Sequence, residues 1–308
     1  MNIQQLKYIV AVNRFRSFAK AAEACNVSQP TLSAMLVKLE DELDTRIFER
    51  NNKSVAPTTE GEKIIRQAEL ALLEIERISE IVKEDKGEVG GKFVISVGPT
   101  IAPYILPKFI KHYREHYPSV DLTICEMKAD FMLEALVRGE IDAGIAISDN
   151  THSGVLEIPL YTENFYVYLA ESCWRKLPVF KPENLEHENM WIINEAQCLR
   201  NSAFSFCKAR SKGQHIYEAG SIETLIRIVD ENGGFTIIPE MHLDFLSETQ
   251  RKNVRKIEGN YLSQRRISLY IRKDFVKERM LNTIIDSMKE FMPAQMLSEG
   301  IRKYDIRL

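Results

Sequence analysis

Apolar and polar positions along the chain change their period twice. From Ile3 to Leu43 apolar residues recur at helical spacing in three short runs. Asn2 is placed to cap a first helix through Val12, on the apolar face of Ile3, Leu6, Tyr8, Ile9 and Val10. Ser17 caps an alanine-rich helix over Phe18–Cys25, and Asn26-Val27 makes a tight connection. Ser28 caps a third helix to about Leu43, with Gln29-Pro30 in the first turn, where proline is tolerated. Residues 46–57 alternate loosely around the polar tip Asn51-Asn52-Lys53, which predicts a small hairpin.

Thr58 to Glu62 open a long helix, with Thr59 and Glu62 at capping-box spacing. Its apolar positions, Ile64, Ala68, Ala71, Ile75, Ile78 and Val82, follow at steps of four and three. That narrow seam suits a partner helix. Residues 84–92 are charged and glycine-rich, a hinge.

Beyond Phe93 the period shortens. Strands are predicted at Phe93–Val97, Leu122–Cys125, Ala143–Ile147, Tyr166–Ala170, Met190–Ile193, Ile216–Glu218, Phe235–Ile238 and Ile267–Ile271. Helices are predicted at Tyr104–Tyr117, Phe131–Arg138, Ser221–Glu231 and Lys277–Phe291. Alternation of this kind means α/β sheets.

Composition narrows the class. The chain has 308 residues, 44% hydrophobic and 28% charged, ordinary for a globular protein of two or three domains. No apolar run approaches the roughly 20 residues a membrane span needs. Met1-Asn-Ile-Gln-Gln-Leu-Lys is not a basic region followed by an apolar one, so a cytoplasmic location is expected, without a membrane partner. Net charge is −3, so any nucleic-acid binding rests on a local surface.

Helix, tight turn and capped helix over residues 18–42 meet the needs of a helix-turn-helix, whose second helix enters the major groove of DNA. Gln29, Thr31 and Ser33 near its start are short polar groups for bases or phosphates, and Arg50 and Lys53 on the hairpin suit the backbone. The residues that follow Gln5, "LKYIVAVNRFRSFAKAAEACNVSQPTLSAMLVKLEDELDTRIFERNNKSVAPTTEG", are similar throughout to the N-terminal domain of LysR-type transcriptional regulators. Ala21-Ala22, Ser28-Gln29-Pro30, Leu39-Glu40, Leu43, Phe48-Glu49-Arg50 and Thr58 with Gly61 carry the resemblance.

The resemblance implies a fold class: a winged helix-turn-helix over 1–58, a dimerising linker helix over 59–87 and an α/β effector domain over 88–308. That domain is expected to have two periplasmic-binding-protein-like lobes. Lobe I would be about 92–161 plus 268–308 and lobe II about 162–267. It implies double-stranded promoter DNA, RNA polymerase and self-association as dimer or tetramer as partners, and no catalytic role.

Chemistry concentrates in "CLRNSAFSFC", Cys198 to Cys207. Only five cysteines are present. Cys25 and Cys125 sit in apolar stretches and read as core residues; Cys173 is given no role. Zinc ligands come in closer pairs than these, and His112 with His116 lacks a third ligand, so neither a metal nor another cofactor is expected. In an intact helix nine steps rise roughly 13 Å and turn about 900°, which leaves the two thiols on opposite faces. A disulfide needs Cα atoms within about 7 Å, so pairing requires the segment to refold. Leu199, Ala203, Phe204 and Phe206 would change partners, at about 1.5–3 kcal/mol per large side chain. A few kcal/mol of lost packing raises the disulfide potential by on the order of 100 mV.

Arg200 two positions on, and a helix N-terminus, favour thiolate at Cys198, the peroxide-reactive partner; Cys207 suits the resolving role. Together with "GSIETLIRIVDENGGFTIIP" and "VGPTIAPYILP", the segment resembles the hydrogen peroxide-sensing members of the LysR-type family. That resemblance implies peroxide as effector, antioxidant genes as targets, a reversible Cys198–Cys207 disulfide, and Thr100 in the peroxide site. It also marks departures. Gln197 stands where histidine is common, Asn201 replaces the usual aspartate, and Ala129 aligns with a second threonine. The alternative is a LysR-type regulator that binds a small metabolite between its lobes, with the cysteines incidental.

Overall fold

The computed structural model describes residues 1–51, 54–148, 153–171, 190–193, 214–217, 221–257, 264–303 and 305–307. These fall into two compact units, Met1–Glu88 and Val89–Leu308.

In the first unit, α1 (Ile3–Phe15) starts on a reciprocal cap: the Gln5 N–H donates to Asn2 Oδ1 and the Asn2 N–H to Gln5 Oε1, both at 2.9 Å. It runs three residues past Val12 and ends where Arg16 takes a left-handed φ of 48°. Ser17 caps α2 (Phe18–Ala24), Asn26 turns the chain at φ 54°, and Ser28 caps α3 (Gln29–Glu42). β1 (Phe48–Asn51) and β2 (Ser54–Pro57) pair antiparallel as the wing.

α4 (Thr59–Asp85) is capped by Thr58 rather than by Thr59. The Thr58 oxygen accepts from the Gly61 N–H at 2.9 Å and donates to Arg46 O at 2.7 Å, so one hydroxyl ties the helix start to the strand entry. That second bond is what selects Thr58. Gly61 is required there, because a Cβ would overlap the Ile47 carbonyl. Ile9, Val12, Leu32, Leu36, Leu39, Phe48, Ile65 and Ala68 form the core. Ile75, Ile78, Ile81 and Val82, further along α4, are exposed.

The second unit is built on one twisted sheet. Its strands are β3 (Gly91–Val97), β4 (Val120–Glu126), β5 (Ala143–Ile147), β6 (Val155–Leu169), β7 (Met190–Ile193), β8 (Gln214–Tyr217), β9 (Phe235–Pro239), β10 (Val254–Lys256) and β11 (Gln264–Arg272). The order is β4-β3-β5-β11-β6-β9-β7-β8, with β10 also on β6. β4, β3 and β5 are parallel, as are β9, β7 and β8; β11 and β6 run antiparallel between the two sets.

α5 (Ala102–His116) and α9 (Glu278–Lys289) cover one face around Phe93, Ile95, Phe109, Leu269 and Leu281. α6 (Ala129–Arg138) covers the other, and comes so close to β5 that a Cβ on Gly144 would overlap Met132. A second apolar cluster gathers Val167, Leu169, Phe235, Ile238 and, from α7 (Ile222–Asn232), Leu225 and Val229. After β9 come a 3-10 turn at Glu240–Phe245 and α8 (Glu248–Arg251). The C-terminal segment holds α10 (Glu299–Lys303).

Two sequence expectations need correction, and one strand was not anticipated. Tyr166–Ala170 is only the end of a 15-residue strand that starts at Val155. Pro159 and the inward Glu163 break the apolar alternation, and the structure satisfies Glu163 from the opposite strand. The strand expected at Ile216–Glu218 spans Gln214–Tyr217. β10 is a short strand with no period of its own, and it pairs with β6.

Candidate DNA interface and lobe junction

On α3, Leu32, Leu36 and Leu39 turn inward, which leaves Gln29, Pro30 and Thr31 exposed and Ser33 half-buried. The Ser28 oxygen accepts from the Thr31 N–H at 3.3 Å and lies 2.8 Å from the Thr31 hydroxyl. This cap fixes the first turn and aims its polar groups outward. Buried Glu40 accepts from the Ile47 and Phe48 N–H groups at 2.7 and 3.2 Å, so α3 itself sets where the wing begins. Arg50 falls in β1 opposite Val55, and Lys53 lies outside the described residues. Lys38 is exposed seven residues after Thr31, on the same helix face. The sequence reading missed it, although that spacing was visible.

Cys198, Arg200 and Cys207, with Gln197, Asn201 and Cys173, lie outside the described residues. Cys25 is half-buried against the first core, and burial pushes its thiol pKa up. Cys125 is half-buried and donates to Ile95 O at 3.7 Å. His112 and His116 stack with ring centroids 4.0 Å apart, and among the described residues no group of three metal-ligating side chains forms.

Thr100 follows the C-terminal end of β3, Ala129 that of β4 and Ser148 that of β5, the end of a parallel sheet at which ligands collect. Thr100 is held by Arg265 on β11. Arg265 Nη1 donates to its hydroxyl oxygen at 3.2 Å and Nη2 to its carbonyl at 3.1 Å. Arg265 stands opposite Glu163 in the ladder and pairs with it, Nε to Oε1 at 2.9 Å, both side chains buried. The other Glu163 oxygen accepts from the Met241 N–H at 3.1 Å.

Beside this pair the Tyr104 hydroxyl lies 3.0 Å from His242 Nδ1. Burial lowers the His242 pKa to about 4, so the ring is neutral, and burial raises that of Tyr104. Tyr161 is fully buried in the same region, and its hydroxyl has no partner among the described residues. Sequence reasoning singled out Thr100 and did not anticipate that Arg265, Glu163, Tyr104 and His242 gather around it. Strand pairing sets Arg265 opposite Glu163, a helix and a 3-10 turn bring Tyr104 to His242, and no local motif marks them.

A capped helix-turn-helix with a wing, a long helix and a two-core α/β unit define a bacterial regulator built from a DNA-binding head and an effector domain. Two family profiles match: "Bacterial regulatory helix-turn-helix protein, lysR family" over residues 3–62 and "LysR substrate binding domain" over residues 86–293. The chain belongs to the LysR family. Within it the chain is similar to the hydrogen peroxide-inducible genes activator of Haemophilus influenzae, 32% identical over 259 residues, 83% of this chain and 85% of that one. It is 31% identical over 243 residues to the Escherichia coli K12 DNA-binding transcriptional dual regulator OxyR, 78% of this chain and 80% of that one. A full-length OxyR variant from Pseudomonas aeruginosa superposes with a TM-score of 0.76 at 28% identity, covering 97% and 98% of the two chains. An H2O2-bound OxyR mutant from Corynebacterium glutamicum gives 0.58 at 25% identity, covering 94% and 92%.

Proposed function

We propose that this LysR-family regulator senses hydrogen peroxide through a reversible Cys198–Cys207 disulfide and controls antioxidant genes. The observation that carries the reading is the cysteine pair with Arg200 in a chain 32% identical to a peroxide-inducible activator. The Cys198 thiolate attacks one peroxide oxygen, the O–O bond breaks, and hydroxide leaves to take up a proton as water. The Cys207 sulfur attacks the sulfur of the resulting sulfenic acid and displaces its hydroxyl, which takes up the Cys207 proton and leaves as a second water as the disulfide closes. Two thiols are oxidised by two electrons, and a cellular dithiol returns them.

Thr100 supports the peroxide site. Arg265 occupies a lone pair of its oxygen, so the hydroxyl offers its own proton to a peroxide oxygen. Arg200 favours the Cys198 thiolate. Ser28, Gln29, Pro30, Thr31 and Ser33 on α3 read promoter DNA, with Arg50 and Lys53 on its backbone. The exposed Ile75, Ile78 and Val82 stripe pairs α4 with a second copy, and copies assemble as dimer or tetramer. RNA polymerase is the downstream partner, and the cytoplasm is where all of these meet.

Treatment of the reduced protein with one equivalent of peroxide should yield a linked Cys198–Cys207 peptide by mass spectrometry. Its absence sinks the mechanism. DNA footprints of reduced and oxidised protein should differ, and Cys198→Ser should keep the reduced footprint. A second reading, a metabolite bound between the lobes, draws on the gathering of Thr100, Ala129 and Ser148 at the strand ends. Under it Cys198→Ser remains inducible in a reporter assay.

A further inference from the structure

The pairing of β6 with β11 slips at one point. Ile267 faces Tyr161 but Ser268 faces Pro159, so Leu160 is a bulged residue outside the ladder. Backbone groups at a bulge need other partners. Here residues 296–298 supply them. The Ser298 N–H donates to Leu160 O at 2.8 Å, and the Thr162 N–H donates to Met296 O at 2.9 Å. Leu297 forms an antiparallel bridge with Tyr161, and the Ser298 hydroxyl donates to Pro159 O at 2.5 Å.

The position of the bulge gives it meaning. Leu160 and Tyr161 belong to the apolar core under α5 and α9, and Phe165 belongs to the core under α7. β6 therefore leaves one lobe for the other within four residues of the slip. A bulge there is a place for the strand to bend, and the 296–298 strap sits on it.

The strap is moored at its far end and borders a cavity in the middle. Asn282 exchanges hydrogen bonds with the Ile306 backbone, Nδ2 to O at 3.0 Å and N–H to Oδ1 at 2.8 Å, and Ile301 and Ile306 are buried. Between these anchors and β6 lies a cavity of about 440 Å³, lined by Ile158, Pro159, Ser298, Gly300 and Ile301 among others. Met296 and Leu297 pack against the core that holds Leu160 and Tyr161, and the backbone bonds to the bulge add a directed attachment beside the cavity. The family match ends at residue 293, so these residues fall outside it.

We propose that residues 296–298 are a latch on the hinge between the two lobes. Docked, they satisfy Leu160 and Thr162, hold the bulge and fix the angle between the lobes. Undocked, those two backbone groups lose their partners and β6 bends at the slip. The latch works whichever effector acts on the domain, so it does not rest on the peroxide reading.

The test uses the full chain with donor and acceptor dyes on noncanonical residues at exposed Asp121 and Glu231, one in each lobe, diluted with unlabelled protein. Ser298→Pro removes the N–H that Leu160 accepts. It should broaden the interlobe distance distribution and speed exchange of the Thr162 amide about fivefold, the factor expected for one lost hydrogen bond. Gly300→Ala puts a methyl where nothing lies within 4 Å and should narrow the distribution and slow the same amide. An unchanged distribution in Ser298→Pro, with Thr162 exchanging faster, makes the strap a passive cover and overturns the proposal. Faster exchange throughout β3 and β5 also overturns it, because the strap then merely supports the fold of its lobe. If Ser298→Pro does not fold, Ser298→Ala, which loses the hydroxyl bond to Pro159, is read by the same two outcomes.

Discussion

The two compact units satisfy their buried polar groups over different distances in the chain. In the DNA-binding head many partners are close by: Gln5 pairs with Asn2 three positions away, Glu40 reaches Ile47 seven on, and Thr58 caps Gly61. In the effector unit Arg265 reaches Thr100 across 165 positions, and Lys277 reaches Asp142 across 135. Local pairs survive small errors of register because the same turn carries both partners. Long-range pairs exist only once the sheet has closed, and the fully buried one, Arg265 with Glu163, then leaves a buried charge if either partner is lost. The head should therefore fail by caps and close contacts, and the effector unit by its cross-strand charges.

The largest test of that contrast is Glu163→Gln, which leaves Arg265 charged and buried. Removing one member of such a pair costs about 3–5 kcal/mol. In urea unfolding followed by hydrogen exchange, the effector unit should lose this stability while the head keeps its midpoint. Gly61→Ala inverts the experiment. Its Cβ overlaps the Ile47 carbonyl, and overpacking of this kind costs about 1–3 kcal/mol. The head should weaken and the effector unit should not.

Acid should sharpen the difference next. His242 is neutral in the fold, with its pKa lowered by burial from 6.5 to about 4. The unfolded chain binds the extra proton first, so stability is lost as pH falls from about 6.5 towards 4. The loss is on the order of 3 kcal/mol and confined to the effector unit. His242→Gln should flatten that slope in unfolding curves measured at a series of pH values. The smallest effect is expected from Ser28→Ala, about 1 kcal/mol for a lost N-cap. It should lower the head's midpoint slightly and weaken DNA binding in a gel-shift titration.

Legibility followed the same division. The head was readable because caps, turns and apolar period are all local: Ser17, Ser28 and Pro30 mark helix starts that the structure places within a residue. The one misplaced cap, Thr59 for Thr58, turned on a bond to Arg46 twelve positions away. β6 was cut short because Pro159 and Glu163 look wrong for a strand interior, and a partner 102 positions distant makes Glu163 acceptable. At the lobe junction Thr100 was singled out by resemblance alone. Arg265, Glu163, Tyr104 and His242 carry no local sign of their shared site.

The sequence by itself determined the helix-turn-helix, the apolar stripe of α4, the α/β class of the effector unit and the spacing of Cys198 and Cys207. Each depends on periodicity or on neighbours within a turn or two. Only the tertiary structure decided which charges are buried together, where β6 slips against β11 and what covers the slip. Those outcomes depend on strand order and register, which bring distant residues opposite one another and which no local pattern encodes.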